Sequence, residues 1–265
     1  MKILRTRKAM IAWRKQLSPK ISVGFVPTMG ALHDGHLSLV RAAFKQNDKV
    51  VVSIFVNPTQ FGPHEDFKKY PRPEVKDIGL LRAENVSAVF IPSVEEIYTS
   101  KESTMVVPRK SLTSQLEGIF RPGHFEGVAT VVLKFFEIVR PDRAYFGEKD
   151  FQQLRVIETL VEDLFLPIEI KRCRTLREKS GLALSSRNAY LSSQDRLRAA
   201  QIFRTLTTAR SVGEAKAKLK RSGFKIQYLE AWEENLRFPS RAKKSRWLIA
   251  TTFQGVRLID NLLRD

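Results

Sequence analysis

The sequence predicts an α/β protein, a doubly wound parallel sheet followed by a smaller C-terminal α+β domain. Three observations carry this reading. Short apolar runs alternate with helical patterns through the first two thirds of the 265 residues, as strand–helix–strand units require. The run Val51-Val52-Ser53-Ile54-Phe55 is rich in β-branched and aromatic residues, as expected of a strand covered on both faces. After Leu176 the pattern changes to two helical stretches and then strand-like pieces. The domain boundary is therefore set between residues 175 and 176, giving domains 1–175 and 176–265.

The elements follow in order. Strands are expected at 2–4, 22–26, 49–55, 88–91, 143–146 and 168–171, each a short apolar run. Helices are expected between them at 7–16, 37–45, 75–84, 127–139 and 151–164. In the second of these, Leu37, Leu39, Val40, Ala43 and Phe44 mark the apolar face. Beyond residue 176, helices are expected at 193–209 and 212–221 and strands at 225–231 and 247–252, with Arg-Leu-Ile-Asp-Asn (257–261) near the end. The runs 216–221 and 241–246 are charge-rich and read as solvated. Parallel sheets bind ligands at the carboxyl ends of their strands, and Pro27, Asn57 and Gly147 each open a loop at such an end.

Composition narrows the class. A single cysteine, Cys173, excludes an internal disulfide framework and fits a reducing, cytoplasmic setting. The basic N-terminus lacks an uninterrupted apolar segment and a cleavage site, so no signal peptide is expected. No apolar run approaches ~18 residues, so no membrane span is expected. The formal charge of +18 is uneven, +7 over 1–175 and +11 over 176–265. It invites a nucleic-acid reading, but no aromatic-interleaved basic stripe accompanies it. A solvated basic surface that attracts anionic substrates is the favoured account, and nucleic acid is not expected as a partner.

Five loops carry chemistry. The first, Val26 to Ala43, places His33 and His36 three apart at a helix N-terminus, where free N–H groups and the dipole favour phosphate. A zinc reading needs further ligands; His64, His124 and Cys173 form no second pair. The second loop, Phe55 to Arg72, offers the amides of Asn57 and Gln60 around Pro58. Amides suit a small polar substrate, and Asn-Pro is equally a turn opener. In the third, Arg121 and His124 flank Pro122-Gly123 before a helix, a second anion-facing start or simply a helix entry. In the fourth, Lys149 is a point charge able to reach phosphate oxygens. There Asp150 suits a ribose hydroxyl or Mg²⁺, and Gln153 lies one helical turn beyond Lys149. In the fifth, Ser185, Ser186 and Arg187 offer hydroxyls and a forked cation to a triphosphate, in a loop that serves as linker or as lid.

Taken together, TMGALHDGH, FVNPTQF, RPGHF, FGEKDFQQ and LALSSRN resemble the pantoate–β-alanine ligase family, in the family's order from about residue 2 to 191 and again at 257–261. The resemblance implies a Rossmann-like domain akin to class I aminoacyl-tRNA synthetases, with LSSRN in place of their mobile KMSKS loop. It implies ATP with Mg²⁺, (R)-pantoate and β-alanine as reactants, pantoyl adenylate as intermediate, and AMP, pyrophosphate and pantothenate as products. By position, Met29, Gly30, Ala31, Leu32, His33, Asp34, Gly35 and His36 would line the ATP site, with His36 the proton donor and His33 assisting. Gly147, Glu148, Lys149 and Asp150 would hold ATP, Lys149 on its phosphates. Leu176 would meet the adenine, and Leu184, Ser185, Ser186 and Arg187 would form the triphosphate loop. Gln60 and Gln153 would contact pantoate, Gln60 then β-alanine. Asn57, Arg121 and His124 match weaker family positions. A homodimer and a C-terminal lid are also implied. Arg174, where members often carry Pro, and Ser180, where they carry Asp, depart from the pattern, and the C-terminal region is shortened. The His-x-Gly-His signature alone is shared by other adenylyl- and cytidylyltransferases, which stay as the alternative, with a basic RNA-binding module behind them.

Overall fold

A computed structural model describes residues 1–265 apart from His64, Lys101, Arg241 and Lys243. The elements run β1 (Lys2–Leu4), α1 (Arg7–Lys15), β2 (Val23–Thr28), α2 (Asp34–Phe44), β3 (Lys49–Ile54), α3 (Glu74–Ala83) and β4 (Ala88–Phe90). Three one-turn helices follow, α4 (Val94–Ile97), α5 (Lys110–Thr113) and α6 (Glu117–Phe120), which the sequence reading did not contain. Then come α7 (His124–Val139), β5 (Arg143–Gly147), α8 (Phe151–Asp163) and β6 (Glu169–Cys173). The remainder holds α9 (Ser193–Ala199), α10 (Gln201–Thr208), α11 (Val212–Arg221), β7 (Lys225–Trp232), β8 (Ser245–Phe253) and β9 (Val256–Arg264).

The first six strands form one parallel sheet in the order β1-β4-β3-β2-β5-β6. Alternate residues explain its unbroken apolar strands. Phe25, Val51 and Phe90 face the layer of α1, α7 and α8, where Phe135 packs edge-on against Phe25, Phe55 and Phe90. Val26, Val50, Val52 and Val89 face the opposite layer, with Leu37, Val40 and Leu81 of α2 and α3. The chain moves outward from β2 to β3 to β4, then restarts on the other side with β5 and β6, so the order reverses between β2 and β5. There β2 pairs β5 only at Gly24 and Phe25, whereas it pairs β3 up to Thr28. The gap above Phe25 is the crevice where such sheets take ligands. It also admits Pro27: the strand, expected to stop at 26, continues through a proline that has a partner on one side only.

The second sheet is antiparallel, β7-β8-β9. One face packs Leu229, Ile249 and Leu258 against Ile202, Leu206 and Leu219 of α10 and α11. From the other, Tyr228, Leu248 and Ala250 join the core that holds Phe151 and Leu154 of α8. The sheet is therefore covered on both sides. Two expectations are corrected and one unassigned segment finds its element. The helix expected at 193–209 is two helices divided at Ala200, whose ψ of −15° breaks the regular turn. The segment 257–261 lies within the nine-residue strand β9. In the run read as solvated, Arg246 is buried, its guanidinium 3.8 Å over the Phe151 ring and paired with Glu234; Arg241 and Lys243 lie outside the described residues.

Candidate active site

Four loops from the strand ends and the 184–187 segment border one cleft at the β2/β5 gap. The first loop leaves β2 through Gly30 and Ala31, both at positive φ (78° and 50°). Thr28 anchors the turn, its hydroxyl accepting from Gly30 N at 3.1 Å and donating to Ser53 O at 2.7 Å. The backbone N–H groups of Ala31 and Leu32 donate to the two Asp77 carboxylate oxygens, each at 2.8 Å. Gly30, Ala31, Leu32 and Asp34 consequently form the support of this wall, whereas Met29, His33, Gly35 and His36 line it.

His33 is the extended N-cap of α2, and its Nδ1 accepts from Gly35 N at 3.1 Å. That bond assigns the ring proton to Nε2, leaving a donor free. His36, in the first turn, lies with its ring centroid 4.1 Å from that of His33. Only glycine fits between them, since a Cβ at Gly35 would sit 2.7 Å from His33 Cε1. Burial, then the Lys149 charge, pushes the His33 imidazole down to about 4. Burial, then His33, then Lys149, pushes His36 down to about 3. Both rings are therefore neutral at pH 7. His36 Nδ1 is buried without a hydrogen-bond partner among the described residues.

The amides of Asn57 and Gln60 line the same cleft. Asn57 caps the 3₁₀ turn Pro58–Gln60 and is 1% exposed. Its Nδ2 donates to Gln60 Oε1 at 3.2 Å and to Gly127 O at 3.1 Å; its Oδ1 accepts from the Tyr98 hydroxyl at 2.8 Å. Arg121 and His124 do not face the main cleft. They stand behind Gln60, whose carbonyl accepts from His124 Nδ1 at 2.9 Å and from Arg121 Nη2 at 3.3 Å. Arg121 is itself held by both Glu65 oxygens at 2.7 Å. Of the two readings of this helix start, anion-facing or plain helix entry, the side chains here serve neither alone: they clamp the backbone of Gln60, because α7 begins at His124 itself and buries that side chain.

Lys149 lies in the 3₁₀ turn Glu148–Asp150 after β5; its nearest acid is Asp150 Oδ2 at 3.5 Å. Gly147, Lys149, Asp150 and Gln153 all line the cleft, so Lys149 and Gln153 share it as their spacing required. Glu148 is not among the lining residues, and its carbonyl accepts from Asn261 Nδ2. Leu184 N donates to Leu176 O at 3.0 Å, which brings both leucines to the wall beside Ser185, Ser186 and Arg187. The Ser186 hydroxyl lies 3.1 Å from that of Tyr70, and Arg187 forks onto Asp66 at 2.8 and 3.1 Å. Burial lowers and Asp66 raises the Arg187 guanidinium, with Asp66 prevailing.

Sequence reading missed Asp66 as the partner of Arg187, and, in the lining, Tyr70 and the apolar wall of Val128, Val131, Val132 and Phe135 from α7. The last four carry a helical stripe, but a stripe facing a cleft reads the same as one facing the core. Among the described residues no group of three or more His, Cys, Asp or Glu stands close enough to hold a metal ion, and no helix is long and apolar enough to cross a membrane.

The chain matches the family model for pantoate–β-alanine ligase over residues 2–263. It is 48% identical over 255 residues to the pantothenate synthetase of Dehalococcoides mccartyi, covering 91% of this chain and 95% of that protein. Against the pantothenate synthetase of Thermotoga petrophila the identity is 46%, over 99% of both. Among solved structures, pantothenate synthetase from Thermus thermophilus superposes with a TM-score of 0.91 at 44% identity, covering 99% of each chain. Pantoate–β-alanine ligase from Francisella tularensis, complexed with a β,γ-ATP compound and β-alanine, gives 0.90 at 40% identity, covering 99% of this chain and 97% of that one.

Proposed function

The chain belongs to the pantoate–β-alanine ligase family, and from that premise we propose how this cleft performs the ligation. The observation that supports the reading is the convergence of two donor sets on one crevice. Neutral His33 and His36, cationic Lys149 and the amides of Gln60 and Gln153 all line it. ATP lies with its triphosphate against His33, His36, Lys149, Ser185, Ser186 and Arg187, its base beside Leu176. Pantoate is fixed by Gln60 and Gln153, its apolar part against the α7 wall.

In the first step a pantoate carboxylate oxygen attacks the α-phosphorus, the bond to the bridging oxygen breaks, and pyrophosphate leaves. Charge grows on the α-phosphoryl oxygens, and preorganised donors at that point lower the barrier. His33 and His36 supply such donors through their ring N–H groups. In the second step the free amine of β-alanine attacks the acyl carbon, sheds a proton, and expels AMP. No protein nucleophile takes part; alignment carries the rest.

Mg²⁺ fits this donor set as an ion carried by the nucleotide. Asp150 offers one carboxylate beside the hydroxyls of Ser185 and Ser186, and Mg²⁺ binds through one or two carboxylates plus phosphates. Bound there, it would neutralise phosphate charge and order the chain of phosphates. The family likeness further supports a homodimer, and the unpaired Cys173 suits a cytoplasmic setting.

The test is direct. Protein incubated with ATP, Mg²⁺, pantoate and β-alanine gives AMP, pyrophosphate and pantothenate in equal amounts, and with pantoate alone catalyses pyrophosphate–ATP exchange. Absence of AMP under these conditions overturns the reading. Pyrophosphate release with a different acceptor and none with pantoate turns it toward another nucleotidyltransferase. Light scattering that reports twice the 30.4 kDa chain mass checks the dimer.

A further inference from the structure

The C-terminal sheet reaches into the nucleotide wall at one point. Asn261 of β9 is buried, 5% exposed. Its Nδ2 donates to Glu148 O at 2.8 Å and to Lys149 O at 3.0 Å. Its Oδ1 accepts from Arg246 Nη1 at 2.6 Å. Both amide hydrogens and the oxygen are thereby committed, which fixes the orientation of the group. Arg246 is in turn locked by Glu234, at 2.8 and 3.1 Å, and its guanidinium lies 3.8 Å over the ring of Phe151, the residue that follows the Glu148–Asp150 turn. The turn has no side-chain cap of its own. It is held directly by Asn261 and, next to it, by the Arg246–Phe151 stack.

We propose that Asn261 is a positioning residue for Lys149. By holding the carbonyls of the Glu148–Asp150 turn, the C-terminal sheet sets where the Lys149 ammonium meets the nucleotide phosphates. The inference rests on the reading of Lys149 as a phosphate ligand. The lysine's own stem cannot do this alone. An ammonium on four methylenes has many rotamers, and only a fixed backbone confines it to one end of the cleft. Asn261 does not line the main cleft; it borders a smaller adjoining pocket with Lys149 and Asp150, and its bonds are to the backbone of the turn. Its effect on nucleotide binding must therefore travel through the turn.

The test is a double-mutant cycle on ATP binding, read by calorimetric Kd at a temperature where every variant is folded by circular dichroism. Lys149→Met alone is expected to raise the Kd for ATP by roughly tenfold or more, the loss of one charge-assisted contact. Asn261→Ala is expected to raise it severalfold in the wild-type background and not at all in the Lys149→Met background. Additivity would not be seen, because both changes remove the same contact. Arg246→Lys, which keeps the charge but loses the fork, is expected to act in the same direction and to vanish in the same background; it serves if Asn261→Ala does not fold. If Lys149→Met leaves the Kd unchanged, the phosphate reading of Lys149 fails and the inference with it. If Lys149→Met weakens ATP while the Asn261 and Arg246 variants bind as wild type, the inference fails alone. Equal losses in both backgrounds also overturn it, since they mark a merely structural role.

Discussion

His36 is neutral because of where the chain puts it. A histidine one turn into a helix, covered by the sheet and stacked on His33, loses the solvent that would stabilise its charged form. The same holds for His33 and for His124, which burial and then Arg121 push down to about 4. The sign of the consequence is fixed. Unfolded, all three take up protons near pH 6.5; folded, they resist until pH 3–4. The unfolded state therefore binds more protons in that window, and stability falls as pH drops from about 6.5 to about 4. Urea denaturation at pH 7 and 5 checks this, and the imidazole proton resonances of His33, His36 and His124 are expected not to titrate between pH 5.5 and 8. His36→Ala is expected to slow pyrophosphate release by ~10²-fold or more, the usual loss when one preorganised donor is removed, with the fold intact by circular dichroism. Gln60→Ala is expected to raise the KM for pantoate well above its effect on ATP affinity, and equal effects would count against its assignment.

At the scale of elements, α7 illustrates how packing turns a pattern into a site. Its sequence is apolar nearly all round, so its helical character and burial were legible. Its start was not: the expected beginning at 127 missed His124, whose side chain turns back onto the Gln60 carbonyl. The helix approaches the Pro58–Gln60 turn so closely that a Cβ at Gly127 would lie 2.4 Å from Thr59 O. Gly127→Ala must push that turn away despite the better helix propensity of alanine, worth about 1 kcal/mol. The expected outcome is a severalfold rise in pantoate KM with little change for ATP, measured by steady-state kinetics. The N-cap of α2 was readable because a histidine pair before an apolar stripe has few other uses. The division at Ala200 was not, since neither proline nor glycine marks it.

On the scale of the whole molecule, the two sheets are joined by buried charge as well as by apolar contact. Arg257 of β9 forks onto both oxygens of Glu117 at 2.6 and 2.8 Å, and the Tyr228 hydroxyl donates to the same carboxylate at 2.7 Å. Burial raises and Arg257 lowers the Glu117 carboxyl, and the net direction is down. Removing one partner strands the other in a dry place, at a cost of ~3–5 kcal/mol. Arg257→Met is therefore expected to lower the urea midpoint markedly, and Glu117→Gln with Arg257→Met to recover part of that loss.

The sequence by itself determined the parallel sheet and four of the five motif loops that border the cleft at its strand ends. These follow from local periodicity and from side-chain chemistry carried on contiguous residues. Only the tertiary structure decided which members of those loops face the cleft. Ala31 and Leu32 turn to Asp77, Arg121 and His124 turn to Gln60, and Arg187 meets Asp66. Each pairing joins residues 45 to 121 positions apart. No local pattern encodes such a contact, because it is set by which buried polar groups must find partners once the core has closed.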